Sequence, residues 1–279
     1  MGTTKIIFVL YEGKHDAAIL TRLLRENSYR EFKDKKIKEF PAKLKGYFQS
    51  KINDFTYEDE TNIFQKPQLP NHVCKSREAD HWFVFYEMGG DSKIEFVKSI
   101  VSELKVSDSS FEGDERFETE APVSIVFFFD ADNSIDLRKK KFKHSYEDVL
   151  PSFTQQVESV VGHKYGMADV DGFHAIGLFI YGRADQTGTL EDILIPLMQN
   201  GNEPLFQDAD VYLEKYMSVA DKENPSKKGK ALINVVGQPK HHGKANQVII
   251  SDTNLINNEK FSSNDVFTDI LTFMLGFTR

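Results

Sequence analysis

The stretch Val123-Ser124-Ile125-Val126-Phe127-Phe128-Phe129-Asp130-Ala131-Asp132-Asn133 decides how this chain is read. Its apolar core, Ile125 to Phe129, is of strand length and ends abruptly on acidic turn residues. The N-terminal run Lys5-Ile6-Ile7-Phe8-Val9-Leu10-Tyr11 has the same character and stops at Glu12-Gly13. Short runs that are apolar on both faces are the mark of buried parallel strands. His81 to Tyr86, followed by a turn at Gly89-Gly90, and His174 to Tyr181 supply two more. Helical patterns fall between and after them. They are predicted over Asp16–Leu24, Ser92–Leu104, Ser145–Val161 and Thr189–Gln199, then over 209–219, 229–236 and 264–275. Strands alternating with helices predict an α/β fold, a mostly parallel sheet of Rossmann-like type with helices on both faces.

The rest of the sequence fits one domain over 1–279, with an insertion at about 30–80 and a helical C-terminal extension at about 200–279. No internal repeat is evident. The chain has 279 residues, with 43 acidic and 35 basic side chains and a net charge of −8. That balance excludes a protein that coats DNA by bulk charge, but not an enzyme that holds nucleic acid through a local basic patch and bound cations. Cys74 is the only cysteine. It is expected in a loop with no base beside it, so disulfides and thiol catalysis are not expected. With no signal peptide or membrane span in view, the expected location is the cytoplasm.

Ligands of open parallel sheets collect at the carboxyl ends of the strands. There the sequence places Glu12 after the first strand, and Asp130 and Asp132 after the third. Residues two apart on an extended chain point the same way, so Asp130 and Asp132 would face one cleft with Ala131 opposite. Neighbouring carboxylates repel, and a hard divalent cation relieves that repulsion. Asp130 and Asp132 are therefore candidate magnesium (or manganese) ligands. Glu12 is a third ligand or an acid–base group beside the metal. The competing reading is ordinary turn chemistry, in which Asp and Asn simply suit a tight bend.

The segment Val9-Leu10-Tyr11-Glu12-Gly13-Lys14-His15-Asp16, with Gly89-Gly90 after the second strand and Asp130-Ala131-Asp132 after the third, resembles a Toprim domain. This is the module of topoisomerases, DnaG-type primases and OLD-family nucleases. The resemblance covers the core elements within about 1–195, and is nearest to the small Toprim-like proteins related to OLD nucleases. Gly188-Thr189-Leu190-Glu191-Asp192 is similar to theirs as well. The resemblance implies a Toprim-type sheet, an acid–base or metal-binding role for Glu12, and magnesium coordination by Asp130 and Asp132. It also implies cleavage, transfer or joining of phosphodiesters in nucleic acid. Two departures stand out: Tyr11 replaces a usual small aliphatic residue, and no ATPase motif is recognisable.

Further candidates carry two readings each. Asp16 either orients Glu12 or a basic group, or is a helix-dipole aspartate. Glu191 is either an outer ligand of a second metal or a first-turn acid behind the N-cap Thr189. Gly89 and Gly90 either let the backbone approach a phosphate or only make a turn. The segment 222–244, read as a lysine-rich loop, suits phosphate contact, with Lys230 and Lys244 the side chains expected to point inward. It also suits a solvated loop. The adjacent His241-His242 pair is a poor metal site. The basic segment 30–51, interleaved with Phe32, Phe40, Tyr47 and Phe48, fits either single-strand stacking or an amphipathic helix with aromatic core contacts.

The functional expectation is a metal-dependent nuclease or phosphodiester transferase using Glu12, Asp16, Glu191 and Lys230, with Gly89, Gly90 and Lys244 on phosphate. The alternative is a non-catalytic module that binds nucleic acid or a partner such as a separate ATPase. A D-x-D phosphatase or glycosyltransferase is disfavoured, because the haloacid-dehalogenase type carries its D-x-D after the first strand.

Overall fold

The computed structural model describes residues 3–33, 36–53, 68–89, 93–106 and 123–279. Seven strands form one sheet in the order β2-β3-β4-β1-β5-β7-β6. Its centre is β4 (His81–Glu87), β1 (Lys5–Tyr11), β5 (Val123–Asp130) and β7 (Phe173–Tyr181), all mutually parallel. The edge strands are β2 (Tyr29–Glu31) and β3 (His72–Ser76) on one side and β6 (Lys164–Val170) on the other, each pair there being antiparallel. β3 and β6 thus oppose the direction shared by the other five. The fold is a mixed α/β architecture with a mostly parallel sheet, and twelve α-helices lie among the described residues.

Period-two alternation along β1 divides the core. Ile7, Val9 and Tyr11 face one side, together with α1 (Lys14–Arg25), α6 (Leu190–Gln199), α9 (Pro225–Gly237), α10 (Asn246–Asp252) and α12 (Asp265–Gly276). Ile6, Phe8 and Leu10 face the other, with α2 (Ala42–Asn53), α3 (Ile94–Val106), α4 (Ile135–Tyr146) and α5 (Pro151–Val157). A strand flanked by helices on both faces is apolar along its buried length, as β1 is from Ile6 and β5 from Ile125 to Phe129.

Several expectations are corrected. The segment read as an insertion supplies β2, α2 and β3 to the sheet and one helical layer, and Cys74 lies in β3, fully buried, rather than in a loop. Its aromatics follow the amphipathic-helix reading. Tyr47 and Phe48 are buried on α2, and Phe40 packs on Phe48 and Trp82 with ring centroids 5.2 and 5.7 Å apart. The helix predicted over Ser145–Val161 is two helices, α4 and α5. The first starts ten residues earlier than expected, because Ser134 caps it by accepting from the Asp136 and Leu137 amides. The helix predicted over 209–219 is α7 (Glu203–Tyr216) followed by the single turn α8 (Val219–Lys222). The helix predicted over 229–236 is α9, which begins at Pro225 behind the capping Asn224 side chain and so takes up much of the 222–244 segment read as a lysine-rich loop. The acidic 107–120 segment, Ser92 and Gly90 lie outside the described residues.

The C-terminal helices are tied to the N-terminal one by a buried arginine. Arg22 of α1 donates to the carbonyls of Ile250 (2.7 Å) and Ile256. At the opposite edge, Asp269 of α12 accepts from Lys164 and pairs with His163 Nε2 at 3.0 Å. Burial raises the Asp269 pKa, but the Lys164 and His163 contacts outweigh it and hold it below its ordinary 3.8. A depressed folded-state pKa stabilises the fold above the unfolded value and loses that stabilisation as pH falls through the folded one. The urea midpoint of wild type should therefore exceed that of Asp269→Asn by a constant margin above about pH 5. The margin should close below 3.8, and a pH-independent margin would refute the ion-pair account.

Candidate active site

The end of β1 delivers Glu12, and the Gly89 N–H fixes that turn by donating to the Glu12 carbonyl at 3.1 Å. Gly89 has φ +66°, which suits glycine, and its amide is already used inside the fold. The Glu12 side chain crosses to β5: Oε2 accepts from the Asp130 amide at 2.9 Å. Two residues on, Asp132 adopts φ +51°, a left-handed conformation that aspartate tolerates. It forms an isolated bridge with Gly188, its amide donating at 2.8 Å and accepting through its carbonyl at 2.7 Å. Gly188, at φ +105°, could not carry a Cβ without coming within 2.7 Å of Asp192. This bridge draws the N-terminus of α6 against β5, so that the Leu190 amide donates to Asp130 Oδ1 at 2.7 Å. Ala131 between them is buried on the other side, as strand alternation requires.

The α6 N-terminus also brings in Glu191. Thr189 is its N-cap, with Asp192 completing a capping box. Glu191 is buried and bonds His15 Nδ1 at 2.7 Å. Gly229 lets α9 approach closely here, since a Cβ at that position would lie 3.1 Å from Glu191 Cβ. As a result Lys230 Nζ stands 4.0 Å from Glu191 Oε1, half exposed. Asp16 lies in the first turn of α1, where its helix-dipole reading puts it. Its carboxylate caps α1 by accepting from Gly13 N–H at 2.9 Å, and it shares the charge field of Asp130, Glu12 and Glu191. Lys244 is exposed, and no ion pair joins it to the cluster among the described residues.

Electrostatically the cluster is under tension. Burial first, then the charges of Glu12 and Glu191, push Asp130 up to about 8, although the Leu190 amide opposes this. Asp16 is raised well above the carboxylate range by burial and by Asp130 and Glu12. Glu191 behaves differently: burial raises it, but His15 and Lys230 pull it below its ordinary value. The Tyr181 hydroxyl, register partner of Asp130 across β5 and β7, is fully buried. Burial first, and then the charges of Asp16, Asp130 and Glu12, push it up, with the hydroxyl set against the Asp16 carboxylate.

Three side chains here were not singled out by sequence: Arg138, His15 and Tyr181. Arg138 of α4 is buried, with Nη1 3.4 Å from Glu12 Oε1 and Nη2 on Asp132 Oδ2. His15 did sit inside the quoted Glu-Gly-Lys-His-Asp segment, one residue before Asp16, so its proximity was available. A cavity of about 650 Å³ opens beside Asp132, lined also by Arg183, Thr187, Gly188, Thr189 and the α8–α9 junction. Glu12 and Asp130, both partly buried, are not among its lining residues.

The donor set suits a hard cation, since every carboxylate is an oxygen donor. Among the described residues, no three His, Cys, Asp or Glu side chains stand as a ready-formed metal cage. Two of the acids, Glu12 and Asp132, are ion-paired to Arg138.

The family model described as "Protein of unknown function (DUF3226)" matches residues 5–274. No curated protein matches the chain. Among solved structures, the crystal structure of hypothetical protein PH0156 from Pyrococcus horikoshii OT3 is similar, with 16% identity, 99% of each chain covered and a TM-score of 0.49.

Proposed function

The chain belongs to the DUF3226 family of unknown function, and we propose that it is a magnesium- or manganese-dependent phosphodiester-processing enzyme of Toprim type, most simply a nuclease acting on DNA or RNA in the cytoplasm. The observation that carries this reading is the convergence of Glu12, Asp130, Asp132 and Glu191 from the ends of β1 and β5 and the first turn of α6. Burial, and then the neighbouring charges of Glu12 and Glu191, push Asp130 up to about 8. A surplus of buried negative charge at the carboxyl ends of parallel strands calls for a cation.

Glu12, Asp130 and Asp132 would hold the metal, with Glu191 as an outer ligand. When bound, the cation neutralises these carboxylates and polarises a phosphate oxygen. Glu12 accepts a proton from the attacking water or returns one to the leaving oxygen. The Asp130 and Leu190 amides fix the carboxylates that surround the phosphate. Lys230, half exposed beside Glu191, offsets charge developing on the phosphate. Arg183, 51% exposed on the cavity wall, offers a contact for the strand's flanking phosphates. On this reading Gly89 serves the turn that aims Glu12.

The test is cleavage of labelled single-stranded DNA, duplex DNA and RNA in magnesium or manganese, with a chelator control. Cleavage should need the cation and fall by about 10²–10⁴ in Glu12→Gln, the range typical of a lost acid–base group. Absence of cleavage of all three substrates by folded protein in both cations would overturn the reading.

A second reading has its own support. Val211, Tyr212, Tyr216 and Val219 expose apolar surface on α7 and α8 at 53–69% of their full areas. Such a patch is what a non-catalytic module would present to a partner protein such as a separate ATPase.

A further inference from the structure

We propose that Arg138 is a resident counter-cation of the acidic cluster: its guanidinium holds Glu12 and Asp132 together in the metal-free protein and gives way when a divalent cation binds. The inference rests on the reading of Glu12 and Asp132 as metal ligands, and adds that metal entry is an exchange rather than a filling of open space.

The geometry is specific. Arg138 is the fourth residue of α4, and its amide makes the helix's first backbone bond, to Ser134 O at 3.0 Å. Because α4 starts directly after the D-x-D turn, its first turn is aimed back over the strand end. The side chain is 6% exposed, spans the Glu12 and Asp132 carboxylates from two different strands, and lies over the Phe129 ring at 5.3 Å. A guanidinium does not lose its proton in proteins, so once buried it must keep anionic partners. Here its partners are two of the groups the metal would use. One cation, fixed to the chain, thus does the neutralising work of another that diffuses.

Two consequences separate a competitor from a structural brace. A brace, when removed, loosens the ligands and weakens metal binding. A competitor, when removed, destabilises the metal-free protein but tightens metal binding. The experiment is Mn²⁺ titration by calorimetry, paired with melting curves in chelator and in manganese, on wild type, Arg138→Met and Arg138→Lys. Methionine keeps the stem packed on Phe129 without the charge. Lysine keeps the charge but not the fork that reaches two carboxylates.

The expected result is Mn²⁺ binding at least about tenfold tighter in Arg138→Met, equal to about 1.4 kcal/mol. Its melting temperature should be lower than wild type in chelator, with a larger rise on adding manganese. Arg138→Lys should fall between, and its affinity decides the matter should the methionine variant fail to fold. Unchanged or weaker Mn²⁺ binding in the folded variants, with wild type binding normally, overturns the exchange and leaves the metal site standing. No Mn²⁺ binding by any of the three proteins overturns the metal reading itself, and this inference with it.

Discussion

Asp130→Asn should lower cation-dependent cleavage by about 10³-fold or more and, at the same time, raise the melting temperature of the metal-free protein. The first effect follows from the role proposed for the carboxylate: metal-assisted charge stabilisation supplies several kcal/mol, and each 1.4 kcal/mol or so is a factor of ten in rate. The second follows from what surrounds the side chain. Asparagine keeps an oxygen to accept from Leu190 N–H, which now bonds Asp130 Oδ1 at 2.7 Å. Above its pKa of about 8 the carboxyl is charged, and there asparagine removes the charge that Glu12, Glu191 and Asp132 oppose, so the melting comparison belongs at about pH 9. Relief of that repulsion stabilises the fold only while no cation offsets it. In manganese the ranking should therefore shrink or reverse, wild type gaining more than the variant. Melting curves in chelator and in manganese, beside the cleavage assay, read both effects. Full activity in the variant would sink the ligand role. A drop of several degrees in chelator would show that the carboxylate is a structural asset rather than a charge awaiting its partner.

The opposed signs matter because an inactive variant alone says little about why it is inactive. The same logic covers Arg138. Asp130 is a buried acid that the fold carries at a cost, while Arg138 offsets the charge of its neighbours Glu12 and Asp132. Substituting the first should stabilise the metal-free protein, and substituting the second should destabilise it. Both residues flank the one short turn from Asp130 to Ser134, which joins a buried strand to a basic helix.

Much of this was legible in sequence for a simple reason. The four central strands, β1, β4, β5 and β7, are covered by helices on both sides and so appear as unbroken apolar runs. Their predicted limits match within a residue or so. The acids Glu12, Asp130 and Asp132 were legible because each ends such a run. The edge strands were not. β6 is largely exposed, carries Gly166 mid-strand and has no long apolar run, while β2 is only three residues long. Helix α4 was missed because its sequence is dominated by lysine. Only Ile135, Phe142 and Tyr146 mark its apolar face, and its N-cap Ser134 directly follows acidic residues that suit a tight bend equally well. Once the start of α4 was misplaced, Arg138 could not be seen. Tyr181 was hidden for another reason: it meets Asp130 only through the β5–β7 register, and register does not show in a local pattern. The helix that carries Lys230 to Glu191 is expected over 229–236, but the Asn224-Pro225 start signal inside the segment read as a loop places its beginning four residues earlier, at Pro225.

The strand that carries the site also supplies the largest expected stability effect. Phe128→Ala should cost about 3–5 kcal/mol, the range for deleting a fully buried phenyl ring. Phe128 is completely buried in β5, with ring centroids 5.6 Å from Phe179, 5.8 Å from Tyr181 and 6.4 Å from Phe273. Three elements, β5, β7 and α12, meet on that ring, so none can close the cavity without shifting the others. For a chain of this size the loss corresponds to a fall in melting temperature of roughly 10 °C. The effect should reach the site as well. Phe128 lies two residues before Asp130 on the same side of the strand, and it packs on Tyr181, whose buried hydroxyl borders the carboxylates. A cavity there gives Tyr181 room to move and weakens the apolar wall that keeps the cluster dry. Mn²⁺ affinity should then drop along with stability, whereas an equally buried ring on the opposite face of the sheet, such as Phe153, should lower stability and leave affinity nearly unchanged. Equal loss of affinity in Phe128→Ala and Phe153→Ala would mean that the site responds to global loosening and not to the wall behind Asp130.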